Sequence, residues 1–211
     1  MSAAAGPPRP RARHRRGEGD LLRAEILAAA TDLLDSTGDA RAVTLRAVAR
    51  GVGIAASSIY PHFPDQPAVV LAVLRQAFTG LVDWLRSAVD EAGDDPRQRL
   101  HALCQAYLDF ARDHPERYRT MFGGIWAPAA DTGITPDDLV ALGAEAVALV
   151  VENLTACVVA GRCTSENPEA DAIALWVGLH GLAHQRAAST TFPWPADITR
   201  RITVPLSHLV A

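Results

Sequence analysis

Three cysteines are all the chain has, Cys104, Cys157 and Cys163, and no two of them form a CxxC pair. That argues against a disulfide or zinc framework and points to a reducing compartment. Lysine is missing altogether: every one of the 20 basic residues is arginine, which reads as a base-composition bias rather than chemistry. No segment alternates polar and apolar residues as a half-buried strand would, and no internal repeat is evident. The arginine-bearing N-terminus is not followed by an apolar run of signal-peptide type. The most apolar later stretch, Leu139 to Gly161, contains Glu145, Glu152 and Asn153, so it reads as a buried helix rather than a membrane span. A soluble, cytoplasmic protein is expected.

What is present is a globular chain of 211 residues, 49% hydrophobic, with a formal net charge of -4. The charge is unevenly spread. Residues 1 to 64 hold nine Arg against six acids, and residues 65 to 211 hold eleven Arg against eighteen, a basic head on an acidic body. Residues 1–19 are rich in Pro, Gly, Ala and Arg and lack the apolar side chains that would offset the entropy of ordering them, so a disordered tail is expected. Its arginines at 9, 11, 13, 15 and 16 form either a solvated leader or a flexible arm for phosphates.

Residues 20–66 read as a three-helix domain. Leu22, Ile26, Leu27, Ala30, Leu33 and Leu34 form the stripe of a first helix that Gly38 ends. Thr44 caps a second helix, Gly51 and Gly53 allow a sharp turn, and a third helix of about two turns is expected from Ala55 to Tyr60, closed by Pro61 and Pro64. This is a helix-turn-helix. From 67 to 211 the pattern is helical throughout: a long connecting helix from Pro67 to about Ala92, then helices near 97–113, 115–122, 136–159, 168–189 and 196–210, with Pro205 expected to bend or split the last. The fold class is all-α, with about nine helices.

The ordered set Ile26-Leu27, Ala30, Leu33-Leu34, Gly38, Thr44, Val48-Ala49, Gly53, Ile59-Tyr60 and His62-Phe63 resembles the N-terminal domain of TetR-type transcriptional regulators. The segments His114 to Phe122 and Trp176 to Gly181 resemble the C-terminal domain of a TetR subgroup marked by a Trp-His-Gly pattern. The resemblance spans most of residues 20 to 190. It implies a DNA-binding regulator, most simply a repressor released from a palindromic operator when a small molecule binds residues 67–211, working as a homodimer through its two C-terminal helices. Those helices offer Ile173, Leu175, Val177, Leu182, Ile198, Ile202 and Leu206.

Candidate DNA-binding residues are Thr44, Arg46, Ala56, Ser57, Ser58, Tyr60 and His62. Tyr60 has a second reading, as a plug in the three-helix core, and Arg50 is either a contact or a solvated charge. Two departures from the family weaken the head. Ala55 stands where a capping hydroxyl is usual, and Gln66 replaces a Lys that meets a phosphate, leaving a neutral contact. Candidate ligand-lining residues are His101, Cys104, Tyr107, Trp126, Glu145, Trp176, His180 and His184, although ordinary cores use the same residue types. His180 and His184 have metal-ligand spacing but no matched third group, so neither a metal nor a cofactor is expected. An enzyme built on Cys104 or a histidine pair lacks a nucleophile elbow and a partnered acid–base pair. The remaining alternative is a helical ligand-binding or protein-interaction module whose head has weak or lost DNA binding.

Overall fold

Helix α1 (Gly19–Thr37) is built on a four-residue spacing, with Leu22, Ile26, Ala30 and Leu34 all buried on one face. The computed structural model describes residues 19–123, 128 and 132–210, so the arginine tail and Trp126 lie outside the described residues. Gly38 ends α1 in the left-handed region at φ 61°, a conformation that costs a side chain-bearing residue more, and its N–H donates to Leu34 O. A 3-10 turn at Ala40–Ala42 follows, capped by the Asp39 carboxylate, which accepts from Arg41 N at 2.8 Å. Helix α2 (Leu45–Val52) starts on the Thr44 hydroxyl, which accepts from Ala47 N at 3.1 Å, and stops at Gly53 with φ 77°.

The expected helix over Ala55–Tyr60 is shorter in the structure: a single 3-10 turn, Ala56–Ser58, followed by hydrogen-bonded turns to Phe63. Two features of the sequence explain this. Ala55 makes no side-chain cap bond, and Pro61 has no N–H with which to extend the ladder. Ile59 and Phe63 nevertheless anchor the segment, at 0% and 2% exposure.

Helix α3 (Gln66–Glu91) starts on an Asp65 cap and has Pro67 in its first turn, as the sequence predicts. It belongs to both cores. Val69, Val70, Val73 and Leu74 complete the head cluster with α1 and α2, while Leu81, Val82, Leu85 and Val89 enter the body cluster.

The body comprises α4 (Pro96–Asp113), α5 (Pro115–Phe122), α6 (Pro136–Val159), α7 (Pro168–Ala188) and α8 (Ile198–Leu206). Each of α4, α6 and α7 begins with a side-chain cap, from Asp95, Thr135 and Asn167, and a proline in its first turn. Helix α4 is central, touching α3, α5, α6, α7 and α8. Helix α8 is shorter than expected at both ends, and Pro205 lies in its final turn, one residue before it stops. There are eight α-helices and two 3-10 turns among the described residues, and their only bridge-type pairing is Cys163 with Leu209.

By length and composition alone α3 and α6 are apolar enough to cross a membrane. Here α3 joins both cores, and α6 supplies Ala146, Leu149, Val150, Leu154 and Cys157 to the body.

Candidate functional site

The caps on α2 determine which side chains reach solvent in the head. With Thr44 and Gly53 fixing its ends, Val48 and Ala49 turn inward, leaving Arg46 and Arg50 exposed. Beside them the 3-10 segment shows Ser57 to solvent, with Ala56, Ser58 and His62 half-buried. Tyr60 is 58% exposed, so it does not plug the three-helix core; Ile59 and Phe63 do that. Thr44, Arg46, Ala56, Ser57, Ser58, Tyr60 and His62 thus belong to α2, its cap and the segment after its turn. Their hydroxyls, guanidinium, imidazole and phenol suit phosphates and base edges.

Two residues in the head behave in ways their sequence neighbours do not signal. Arg23 of α1 donates from Nη1 to His62 O at 3.1 Å and lies 4.2 Å from the centre of the Phe63 ring, holding the end of the exposed segment against α1. Thirty-nine residues separate the two partners, so no local pattern could show the contact. Gln66 differs from the neutral phosphate contact expected of it: its side-chain amide donates to Ala40 O at 2.9 Å, tying the start of α3 to the 3-10 turn. A Cβ built at Gly19 would stand 3.9 Å from His62 Cε1, so the chain enters α1 beside the same face.

In the body the predicted ligand residues separate. Tyr107, Trp176 and His180 converge. Tyr107 is fully buried, its hydroxyl 2.8 Å from His180 Nδ1 and 3.4 Å from the Tyr118 hydroxyl. Its ring stacks on His180 at 5.3 Å and lies 4.8 Å from Trp176, and Phe122 meets His180 edge-on at 4.4 Å. Burial raises the Tyr107 phenol and lowers the His180 imidazole, so both are neutral near pH 7. Tyr118 and Phe122 complete this cluster beyond the candidate ligand residues, and both belong to the His114–Phe122 segment.

The other candidates lie elsewhere. Cys104 is fully buried and its thiol is pushed up to about 12 by desolvation, which leaves it inert as a nucleophile. His101 is half-buried, its imidazole lowered by desolvation and by the charges of Arg200 and Arg97. Glu145 is on the surface, 2.7 Å from Arg86 of α3. His184 is exposed while His180 points into the body, so the pair does not converge on one metal position. Of the apolar residues on the last two helices, Leu175 and Leu182 belong to the core of their own chain, whereas Ile173 and Val177 are 55% and 63% exposed on α7.

A small helix-turn-helix head joined by one long helix to a larger helical body defines the class of protein: an all-helical, two-part regulator architecture. Residues 26–73 match the family model "Bacterial regulatory proteins, tetR family", and residues 100–209 match "Tetracyclin repressor-like, C-terminal domain". The chain belongs to the tetR family of bacterial regulatory proteins. Among curated relatives it is 32% identical over 120 residues to the HTH-type transcriptional activator FasR of Mycolicibacterium smegmatis, covering 56% of this chain and 54% of FasR. It is 33% identical over 102 residues to the HTH-type transcriptional repressor KstR2 of Mycobacterium tuberculosis, covering 46% and 48%. The chain thus spans about half the length of these relatives. A solved structure of a protein of unknown function from Rhodococcus sp. RHA1 superposes with a TM-score of 0.71 at 28% identity, over 88% of this chain and 91% of that one. The fatty acid degradation regulator FadR from Bacillus halodurans shares the fold, with a TM-score of 0.66 at 16% identity over 89% and 99%.

Proposed function

We propose that this chain is a cytoplasmic, homodimeric DNA-binding transcriptional regulator, a repressor that leaves a palindromic operator when a small molecule binds residues 67–211. The observation that carries the reading is the exposed Arg46–Tyr60 face, set on a head with its own apolar core. Thr44, Tyr60 and His62 contact phosphates, and Arg46, Ser57 and Ser58 read base edges, with Ala56 allowing close approach. The exposed Ile173 and Val177 of α7 face the second copy, giving a two-fold axis and half-sites one helical turn or more apart. The effector site centres on Tyr107, Trp176 and His180, whose neutral polar pair is enclosed by aromatic rings. Binding there shifts the equilibrium between head positions.

Two relatives carry opposite signs in their names, an activator and a repressor, so the sign is part of the test. Fluorescence anisotropy with DNA selected by the protein from a random pool measures affinity, and a promoter fusion measures the sign. A salt-sensitive, sequence-specific complex supports the reading, and loss of specificity over any DNA pool defeats it. A second reading, a module with weakened DNA binding, is favoured by the Gln66 amide being committed to Ala40 O and by the uncapped Ala55.

A further inference from the structure

A cleft of about 370 Å³ opens where head and body meet, and its walls come from three helices: Thr31 and Asp35 of α1, Gln76 and Asp83 of α3, Arg117 and Thr120 of α5. This is separate from the Tyr107–His180 cluster. Its volume is within the range of small-molecule sites. Three observations indicate what it would hold.

The first is charge. Two carboxylates face one guanidinium, and the pairing between them is loose: Arg117 Nε stands 3.8 Å from Asp35 Oδ2. Burial raises the Asp35 carboxyl, and Asp32 and Glu116 add to the rise, partly offset by Arg117, so further positive charge there would be welcome. The second is Asp83, which is exposed and enters no ion pair or side-chain hydrogen bond among the described residues. The third is Thr120. It is 9% exposed, and its hydroxyl oxygen has no hydrogen-bond partner among the described residues. Native structures leave few buried polar atoms in that condition, and a group in the cleft within reach of a rotated Thr120 side chain would satisfy it.

We propose that this cleft binds a small organic cation, an amine or guanidine of about ten to twenty non-hydrogen atoms, with Asp35 and Asp83 taking its charge and Thr120 accepting a hydrogen bond from it. Such a molecule touches α1 of the head and α5 of the body at once. On Asp35 it competes with Arg117, an ion-pair link between α1 and α5. That it thereby alters DNA affinity rests on the functional reading above; the binding itself does not.

The test is calorimetric titration of the full chain with agmatine and with spermidine, against neutral 1,6-hexanediol and anionic adipate. Saturable binding of a cation at one site per chain, absent with diol and adipate, is expected. Asp83→Asn should weaken it about tenfold, the loss of one charge-assisted contact. Thr120→Val should weaken it less, and Glu152→Gln, at an exposed site on α6, should leave it unchanged. Absence of cation binding, or binding unaltered in Asp83→Asn, overturns the site. Asp83 has no partner to lose, so this variant keeps its fold and decides the matter even if Asp35→Asn loosens the head.

Coupling is read by DNA anisotropy with the same cation added to wild type and to Asp83→Asn. A response in the wild type alone supports coupling, and equal responses, which the cation's own attraction to DNA would produce, defeat it. A chain that binds no DNA at all defeats the functional reading and leaves the calorimetric result standing.

Discussion

Head and body put their polar groups to opposite uses. In the head the core is purely apolar, and the groups suited to recognition stand outside it: Tyr60 is 58% exposed, and Arg46 and Ser57 are exposed as well. In the body the polar groups sit inside, with the Tyr107 hydroxyl at 0% residue exposure and only 2.8 Å from His180. The difference teaches where substitution can separate function from stability. It can in the head, where Arg46, Ser57 and Tyr60 stand outside the core and Ala56 alone of the proposed face packs against it, and it cannot in the body, where the proposed ligand residues Tyr107, Trp176 and His180 pack on one another inside the fold.

The largest expected effect tests the body half of that contrast. Tyr107→Ala removes a ring that contacts Tyr118, Phe122, Trp176 and His180. It should cost about 3–5 kcal/mol in chemical denaturation, the usual range for a large core aromatic. A loss under about 1 kcal/mol would mean that the cluster is not packed as described. The head supplies the opposite case. Tyr60→Ala and Arg46→Ala should each lower operator affinity about tenfold and reduce the salt slope by about 1 if the contact is to phosphate, while moving the denaturation midpoint very little. A Tyr60→Ala variant that lost stability instead would break the comparison.

A pH experiment sharpens it further. Burial lowers the imidazole of His180 in the folded chain. As pH falls below the unfolded value near 6.5, the unfolded chain takes up a proton that the folded one resists, so this contribution to stability is full above that pH and lost below it. His101, lowered for the same first reason, adds to the loss. Between pH 7.5 and 5.5 the melting temperature should fall less in His180→Gln than in the wild type. Carboxylates held low, such as Asp138 beside the Thr135 N–H, act only at more acid pH and do not confuse the window.

What could be read from the sequence follows the range of the interactions. The first two helices of the head, the Thr44 cap, the Gly53 turn and the start of α3 are set by residues within a few positions of one another, and the structure places them as expected. The family was legible for the same reason. What was not legible depends on partners far along the chain. Gln66 looks like a weakened phosphate contact until Ala40 O, 26 residues away, is seen beside it. Glu145 looks like a pocket acid until Arg86 is seen to hold it at the surface. Helical periodicity places Leu175 and Val177 on a single helix but does not say which of the two the rest of the body covers. The Ala55–Tyr60 segment is shorter than its sequence suggests for a local reason: Ala55 offers no side-chain cap, and with Pro61 so close only the Ala56–Ser58 turn forms.

The smallest effect returns to that segment. Ala55 already has the backbone of a helix N-cap, at φ -73° and ψ 141°, and lacks only the side-chain acceptor. Ala55→Ser supplies one without asking the chain to move, and the residue is exposed, so the hydroxyl displaces no packing. The gain should be about 0.5 kcal/mol, at the low end for a cap because only one 3-10 turn follows. The comparison between head and body then gives the experiment its force. Because the capped segment is the one that carries Ser57, Ser58 and Tyr60, the small gain in stability should come with an equal or greater gain in operator affinity. Denaturation and anisotropy on the same preparation measure both. A gain in stability with unchanged affinity would show that the segment is already ordered before DNA arrives, and that the missing cap has no part in how tightly this head binds.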